Sequence, residues 1–282
     1  MKMWLRATAA LAISAAISPS LAAQWPPYPT AGVPRTPDGQ PNLSAPAPRT
    51  LDGKPDMSGI WEYIRQRPRV DVGIGGAGGT PLPDGTIPNI LNQFWDIGFG
   101  MKEGLPFQPW AAELRKRRMA DNQKDNPDAH CLPMGFMQFH THGQPRKIVQ
   151  TAGLVLIMWE ANYGLRQIFV DGRPLPHNDP QPWWYGYSIG TWDGDTLIVE
   201  TRGLRDDGWL DVLGSPFTDA ARVTERFRRV NYGNLEIDVT VDDPKAYTKP
   251  WTVTIKQRLT LDAELIEFIC AENERDAVHF AK

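Results

Sequence analysis

Three groups of residues in this chain have the types and spacing to do chemistry. The first is HCLPMGFMQFHTHG, from His130 to Gly143, which holds three of the five histidines and one of the two cysteines. His140 and His142 flank Thr141, so in an extended segment both rings would project from one face and could share an ion. With His130, Met134 and Met137 nearby, such a site would suit copper, a soft-ligand metal met outside the cytoplasm. Metal sites are usually built from firm elements, however, and Pro133, Gly135 and Gly143 interrupt this stretch. The favoured reading therefore assigns no metal and no cofactor, and keeps His140, His142 and His130 as the alternative.

The second group consists of polar residues that intrude on apolar faces. Side chains at alternate positions of a strand point the same way. In LVLIMWE, Glu160 alternates with Leu154, Leu156 and Met158; in DTLIVET, Glu200 shares a face with Ile198; in RVTERF, Glu225 lies between Val223 and Phe227. Arg166 alternates with Ile168 and Val170, and Gln257 continues the face of Val253 and Ile255. Three carboxylates, a guanidinium and an amide among aliphatics read as the lining of a pocket. The competing account places some of these faces outward, or makes Arg166 and the glutamates buried structural pairs.

The third group is aromatic. DGRPLPHNDPQPWWYGYSIGTWDGD carries Arg173, His177, Trp183, Trp184, Tyr185, Tyr187 and Trp192 in a proline-rich loop and the strand after it. At a barrel mouth these planes would suit a flat apolar ligand or a sugar ring, unless they simply cap the core. His177 is the best-placed general acid or base, with Glu200 or Glu160 as its partner, because imidazole titrates near neutral pH. No nucleophile elbow or His-Glu-x-x-His helix occurs. Asp193 and Asp195 flank Gly194 as turn-formers rather than as a glycosidase pair.

The elements that must hold these groups are mostly strands. From Lys147 onward the chain reads KIVQT, LVLIMWEAN, LRQIFVDGR, GYSIGTW, DTLIVETRG, RVTERFRRV, LEIDVTVDD, WTVTIKQRLTL and ELIEFICAEN, separated by turns such as Ala152-Gly153 and Asp193-Gly194. With the early MSGIWEYIR this predicts about ten antiparallel strands, which favour a closed barrel because closure removes exposed edges. One helix is expected in PWAAELRKRRMADNQ, with Trp110 and Leu114 on one face and the basic run Arg115 to Arg118 solvated. Gly73-x-Gly75-x-x-Gly78 lacks the helix that a dinucleotide fingerprint requires and reads as a flexible loop.

MKMWLRATAALAISAAISPSLAAQ has the basic start, short apolar run and small-residue end of a secretory signal peptide over residues 1–23. The run from Ala7 to Ile17 is too short to span a bilayer, so no transmembrane segment is expected after cleavage, and the mature protein should be periplasmic or secreted. Residues 24–56 are proline-rich and read as an extended arm; residues 57–282 read as one barrel domain. In an exported chain, two cysteines point to a disulfide between Cys131 and Cys270. A net charge of −3 argues against a nucleic-acid partner.

Gly59-Ile60-Trp61 at the first strand resembles the Gly-x-Trp signature of lipocalins and related calycin barrels, in which the tryptophan plugs the closed end. A longer resemblance runs from LPFQPWAAELRKRR through CLP, RQIFVDGRPLP, GYSIGTWDGDTLIVET, TERFRR and DDPKAYTKPWTVT to ELIEFICAENE. Over roughly residues 105 to 276 the chain is similar to an uncharacterised family of exported bacterial proteins, abundant in acidobacterial genomes. That pattern includes both cysteines, usually has asparagine where this chain has His130, and does not extend to His140 or His142.

Together these features imply a calycin-like β-barrel binding a small hydrophobic or aromatic molecule, with Arg166, Arg173, Trp183, Trp184, Tyr187, Trp192, Glu225 and Gln257 as ligand-binding residues. The alternative is an isomerase, lyase or hydrolase of the same shape, acting on a small aromatic, terpenoid or steroid-like, or sugar substrate through His177, Glu200 and Glu160. A third reading is an envelope interaction module that binds through its arm.

Overall fold

The computed structural model describes residues 28–65, 92–176 and 181–270. The signal sequence expected over 1–23, the glycine-rich loop at 73–78 and His177 lie outside them. Nine strands close into a single barrel: β1 (Gly59–Tyr63), β2 (Arg146–Gln150), β3 (Leu154–Trp159), β4 (Leu165–Phe169), β5 (Tyr187–Asp193), β6 (Thr196–Arg202), β7 (Arg222–Asn231), β8 (Asn234–Asp242) and β9 (Trp251–Leu259). Each pairs with its neighbours in chain order, and β9 returns to pair with β1.

Two features depart from the expected antiparallel ten-stranded barrel. β4 and β5 run parallel, joined by two residue pairs, Ile168 with Ser188 and Phe169 with Ile189. The chain between them therefore does not turn back at once but returns along the barrel before β5 starts. Over its described residues, 264–270, the tenth expected strand, ELIEFICAEN, does not pair, because β9 already bonds β1 and leaves no free edge. Residues 261–270 instead strap the outer wall. Lys147 pairs with Glu264, the Ile266 N–H donates to Glu160, and Cys270 joins Cys131 in a disulfide 139 residues apart in sequence.

Inward faces follow the two-residue period: Val223, Glu225 and Phe227 on β7, Ile237, Val239 and Val241 on β8, and Val253, Ile255 and Gln257 on β9 are all buried. At one end, Trp61 is completely buried and donates from Nε1 to the Met57 carbonyl. The Arg229 guanidinium lies 5.0 Å from its ring centre and bonds the carbonyls of Asp56, Ser58 and Tyr232. The apolar ring and the carbonyl acceptors together make burial of this cation tolerable.

Residues 28–56 are extended but folded down. RTPDGQPNLSA and RTLDGKPDMSG form two copies of one turn, in which Arg35 and Arg49 each donate to a glycine carbonyl four residues on. Gly39 and Gly53 hold φ near +80°, the left-handed region open to glycine. The copies place Leu43 and Met57 against the core, and Arg49 pairs with Asp195.

The helix expected in PWAAELRKRRMADNQ is α1 (Pro109–Ala120), with proline in its first turn. Its basic run is not wholly solvated: Arg115 pairs with Asp96, and Arg118 bonds the Gly214 carbonyl and lies over Trp209. Among the described residues no helix is long and apolar enough to cross a membrane. Reducing the Cys131–Cys270 bridge should lower unfolding free energy by up to roughly 4 to 5 kcal/mol on the chain-entropy estimate for so long a loop. Urea titrations with and without reductant, checked against a Cys131→Ser, Cys270→Ser variant, measure it.

Candidate functional site

The barrel's interior holds a connected polar centre. Arg166 points inward from β4 because it alternates with Ile168, and Glu225 points inward from β7 between Val223 and Phe227. The Arg166 guanidinium meets both carboxylate oxygens of Glu225, at 3.0 Å through Nη1 and through a second bond from Nη2. Its Nε donates to Ser188 Oγ of β5 at 3.1 Å, and Nη2 donates to Thr201 Oγ1 of β6 at 2.8 Å. Ser188 and Thr201 bond each other at 2.9 Å. The Phe136 ring lies 4.7 Å from the guanidinium carbon.

His140 completes the centre, its Nε2 2.8 Å from Glu225 Oε1. Burial favours the neutral imidazole, so Nε2 carries the proton donated to the carboxylate. Burial alone would raise the Glu225 pKa, but the adjacent Arg166 and the bonds from His140 and Arg166 outweigh it and hold the carboxyl below its ordinary range.

His140 arrives on a plug. Residues 134–142 enter the barrel, with a short helical turn, α2 (Gln138–Thr141), within them. Met134, Phe136, Met137, Phe139 and His140 are each at most 1 % exposed, so the plug fills the interior. Gly135 packs so closely that an added Cβ would lie 1.4 Å from the Trp209 carbonyl oxygen. The plug's backbone is held from the wall: Trp159 Nε1 donates to the Phe139 carbonyl at 2.8 Å, and Gln257 Nε2 to that of His140 at 3.2 Å. Arg146, pointing inward from β2, bonds the carbonyls of His140 and His142. Three buried atoms around this junction have no hydrogen-bond partner among the described residues: His140 Nδ1, Gln257 Oε1 and Arg146 Nε.

Of the residues expected to line a pocket, Arg166, Glu225 and Gln257 thus converge. Glu200 does not: it is exposed on the outer wall, and Leu197, Val199 and Thr201 take the inner face of β6. An all-apolar run is compatible with either face, and the pairing of Val199 with Glu225 decides between them. Glu160 is also outside the barrel, beneath the C-terminal strap, bonded to Gln144 and to the Ile266 N–H. Of the expected acid–base set, Glu200 and Glu160 thus both lie outside the barrel interior, and His177 lies outside the described residues.

The aromatic group does not ring a mouth. Tyr187 faces outward beside Phe169, 5.3 Å between ring centres, with Arg173 over Phe169 and Trp183 exposed next to Tyr187. Trp184 lies under Arg205, and Trp192 lies near Lys54. Trp183 and Trp184 precede β5, whereas Tyr187 and Trp192 lie on it, Trp192 on the face of Ser188 and Gly190 and packed against the core.

The histidine cluster also separates. His130 is exposed and meets the Lys124 carbonyl, His140 points into the barrel, and His142 packs edge-on against Phe94. The helical turn, not an extended strand, sets His140 and His142 apart. Among the described residues no group of three or more His, Cys, Asp or Glu could hold a metal.

No known protein family, curated protein or solved structure matches this chain. The site is read from its own geometry.

Arg146, Ser188 and Thr201 belong to the centre and were missed as candidates, although alternation could have found them. Arg146 is two residues before buried Ile148, and Thr201 two after buried Val199. Removing one partner of the central pair leaves an unpaired buried charge, so Glu225→Ala should cost about 3 to 5 kcal/mol, while Arg166→Met with Glu225→Leu should recover most of it. Urea midpoints of the three proteins decide. The His142 imidazole is pushed down to about 4 by burial and then by Arg146 and Arg65. A lowered histidine pKa means that the fold favours the neutral ring. That contribution is complete above the ordinary value of 6.5 and is lost as pH falls from 6.5 to about 4. A His142→Phe variant should flatten stability against pH across that window.

Proposed function

We propose that this is an exported, calycin-like barrel whose interior takes a small hydrophobic or aromatic molecule in place of its own plug. The observation that carries this reading is the charged centre buried inside the barrel, bordered by polar atoms without partners. An interior that only had to be stable could be all aliphatic, because a well-packed apolar substitute for a buried ion pair is often neutral or stabilising. Polar groups converging in an apolar enclosure are what a ligand site requires.

The plug supports the same reading. It consists largely of methionine and phenylalanine side chains, which a flat apolar ligand can replace contact for contact, and methionine repacks readily around different shapes. Its N-terminal side is tethered through Cys131 to the outer strap, so it can leave the barrel without being lost from its mouth. The calycin comparison rests on Trp61 in a Gly-x-Trp first strand, buried with Arg229 over its ring. The resemblance to exported bacterial proteins and the leader-like first 23 residues support the location.

One observation favours a second reading, an enzyme of the same shape. With Nε2 committed to Glu225, the neutral His140 ring keeps a free lone pair at Nδ1, the arrangement of an oriented general base. In that reading His140 and Glu225 take the roles first considered for His177, Glu200 and Glu160, and the bound molecule would be converted.

Native mass spectrometry of protein purified from an exporting host tests both readings. The expected result is a mature chain starting near residue 23 with an organic adduct that denaturation removes. Apolar candidates offered to the adduct-free protein should bind and be recovered unchanged. Recovery of a product mass, abolished by His140→Gln, would favour the enzyme. A chain that carries no adduct and takes up no apolar compound would remove the interior-binding reading.

A further inference from the structure

Among the described residues, three ionic side chains that point inward from the strands touch the plug: Arg146, Arg166 and Glu225. The buried Asp211 and Asp243 lie in loops, bonded to Ser215 and Thr218. Glu225 is already matched by Arg166 through two bonds. Arg146 has no carboxylate partner there. Its acceptors are the backbone carbonyls of His140 and His142, at the end of the helical turn α2, and its Nε bonds nothing. Glu62, the acid that most stabilises its charge, is bound to Arg258 instead. Arg65 lies at the same end of the barrel, its Nη2 2.3 Å from where a Cβ on Gly143 would be.

Carbonyl oxygens at a helix end carry only partial negative charge, which suffices for Arg146 while the plug is seated. Both of those oxygens belong to the plug. If residues 134–142 withdraw, the guanidinium loses its acceptors together and is left bare in an apolar enclosure, a state that costs several kcal/mol. Whatever replaces the plug must therefore bring acceptors to Arg146 as well as apolar surface to the walls. A neutral hydrocarbon would fill the space vacated by Phe136, Met137 and Phe139 and leave the cation stranded. An anion would meet both needs.

Resting on the interior-binding reading above, we infer that the occupant is an amphiphilic acid: an aromatic or aliphatic body with one anionic group, which replaces the His140 and His142 carbonyls on Arg146. The remaining polar wall atom fits the same junction. Gln257 Oε1 is an acceptor, so a hydroxyl or a bound water beside the acid group would complete the site.

Two fluorescent probes that share their rings separate charge from hydrophobicity: 8-anilinonaphthalene-1-sulfonate and its uncharged counterpart N-phenyl-1-naphthylamine. The sulfonate should bind the full-length mature protein about tenfold more tightly or better, the difference expected of a charge-assisted bond gained in a buried site. Arg146→Gln should bring the two probes to equal affinity, and Arg146→Lys should restore the preference. Equal affinities on the unaltered protein would overturn the acid inference and leave interior binding standing. A sulfonate preference that survives in Arg146→Gln would place the anion elsewhere and also overturn it. If neither probe binds, the interior-binding reading fails and this inference with it. Should Arg146→Gln not fold, Arg146→Met serves as the uncharged variant, with the same outcomes deciding.

Discussion

A guanidinium from one wall of the barrel meets a carboxylate from another across its middle, and much of the architecture is arranged around that contact. The Arg166–Glu225 pair links β4 to β7, and the other donors of the same guanidinium tie in Ser188 of β5 and Thr201 of β6. Four consecutive strands are thus joined from inside the barrel. This matters most between β4 and β5, where the backbone ladder has two residue pairs. The same carboxylate accepts from His140, so the plug is seated on the pair as well. Disturbing Glu225 would reach the seam and the plug together.

Two buried arginines are accommodated in the same way. Arg229, over the Trp61 ring, and Arg146, against the plug, both rely on backbone carbonyls rather than carboxylates. The difference lies in which segments provide the oxygens. Those on Arg229 come from the entry to β1 and from the β7–β8 hairpin, which are parts of the barrel itself. Those on Arg146 come from a segment threaded into the opening. One cation is therefore held by the barrel's own wall, and the other by the inserted segment.

Much of this was legible in the sequence. Period-two alternation placed Glu225 and Gln257 inside, because one face of each strand was plainly apolar and the other plainly polar; Arg166 rested only on its alternation with Ile168 and Val170, since Leu165 and Phe169 make the other face apolar too. It failed for Glu200, where Leu197, Ile198 and Val199 are apolar on both faces and only cross-strand pairing decides. It failed for Glu160, whose neighbours Leu154, Leu156 and Met158 are apolar because the C-terminal strap covers that outer face. A strap and a strand have the same composition, so ELIEFICAEN could not be distinguished from a tenth strand before β9 was seen to reach β1. The plug was hidden for a related reason: glycine and proline in HCLPMGFMQFHTHG signal a loop, and nothing local tells whether a loop lies on the surface or fills a barrel. The repeated RTxDGxP turns were visible as self-similarity within the arm and would have argued against a loose tether.

The parallel seam also follows from arithmetic. Strands that alternate up and down around a ring can return to their starting point without mismatch only if their number is even. This barrel has nine. Somewhere on its circumference two neighbours must run the same way, and moving that mismatch cannot remove it. The sequence places it between β4 and β5, where the chain must climb the height of the barrel before it can descend again. The proline and tryptophan content of the chain between them then reads less as the lining of an entrance than as the cladding of a staircase that parity obliges the chain to build.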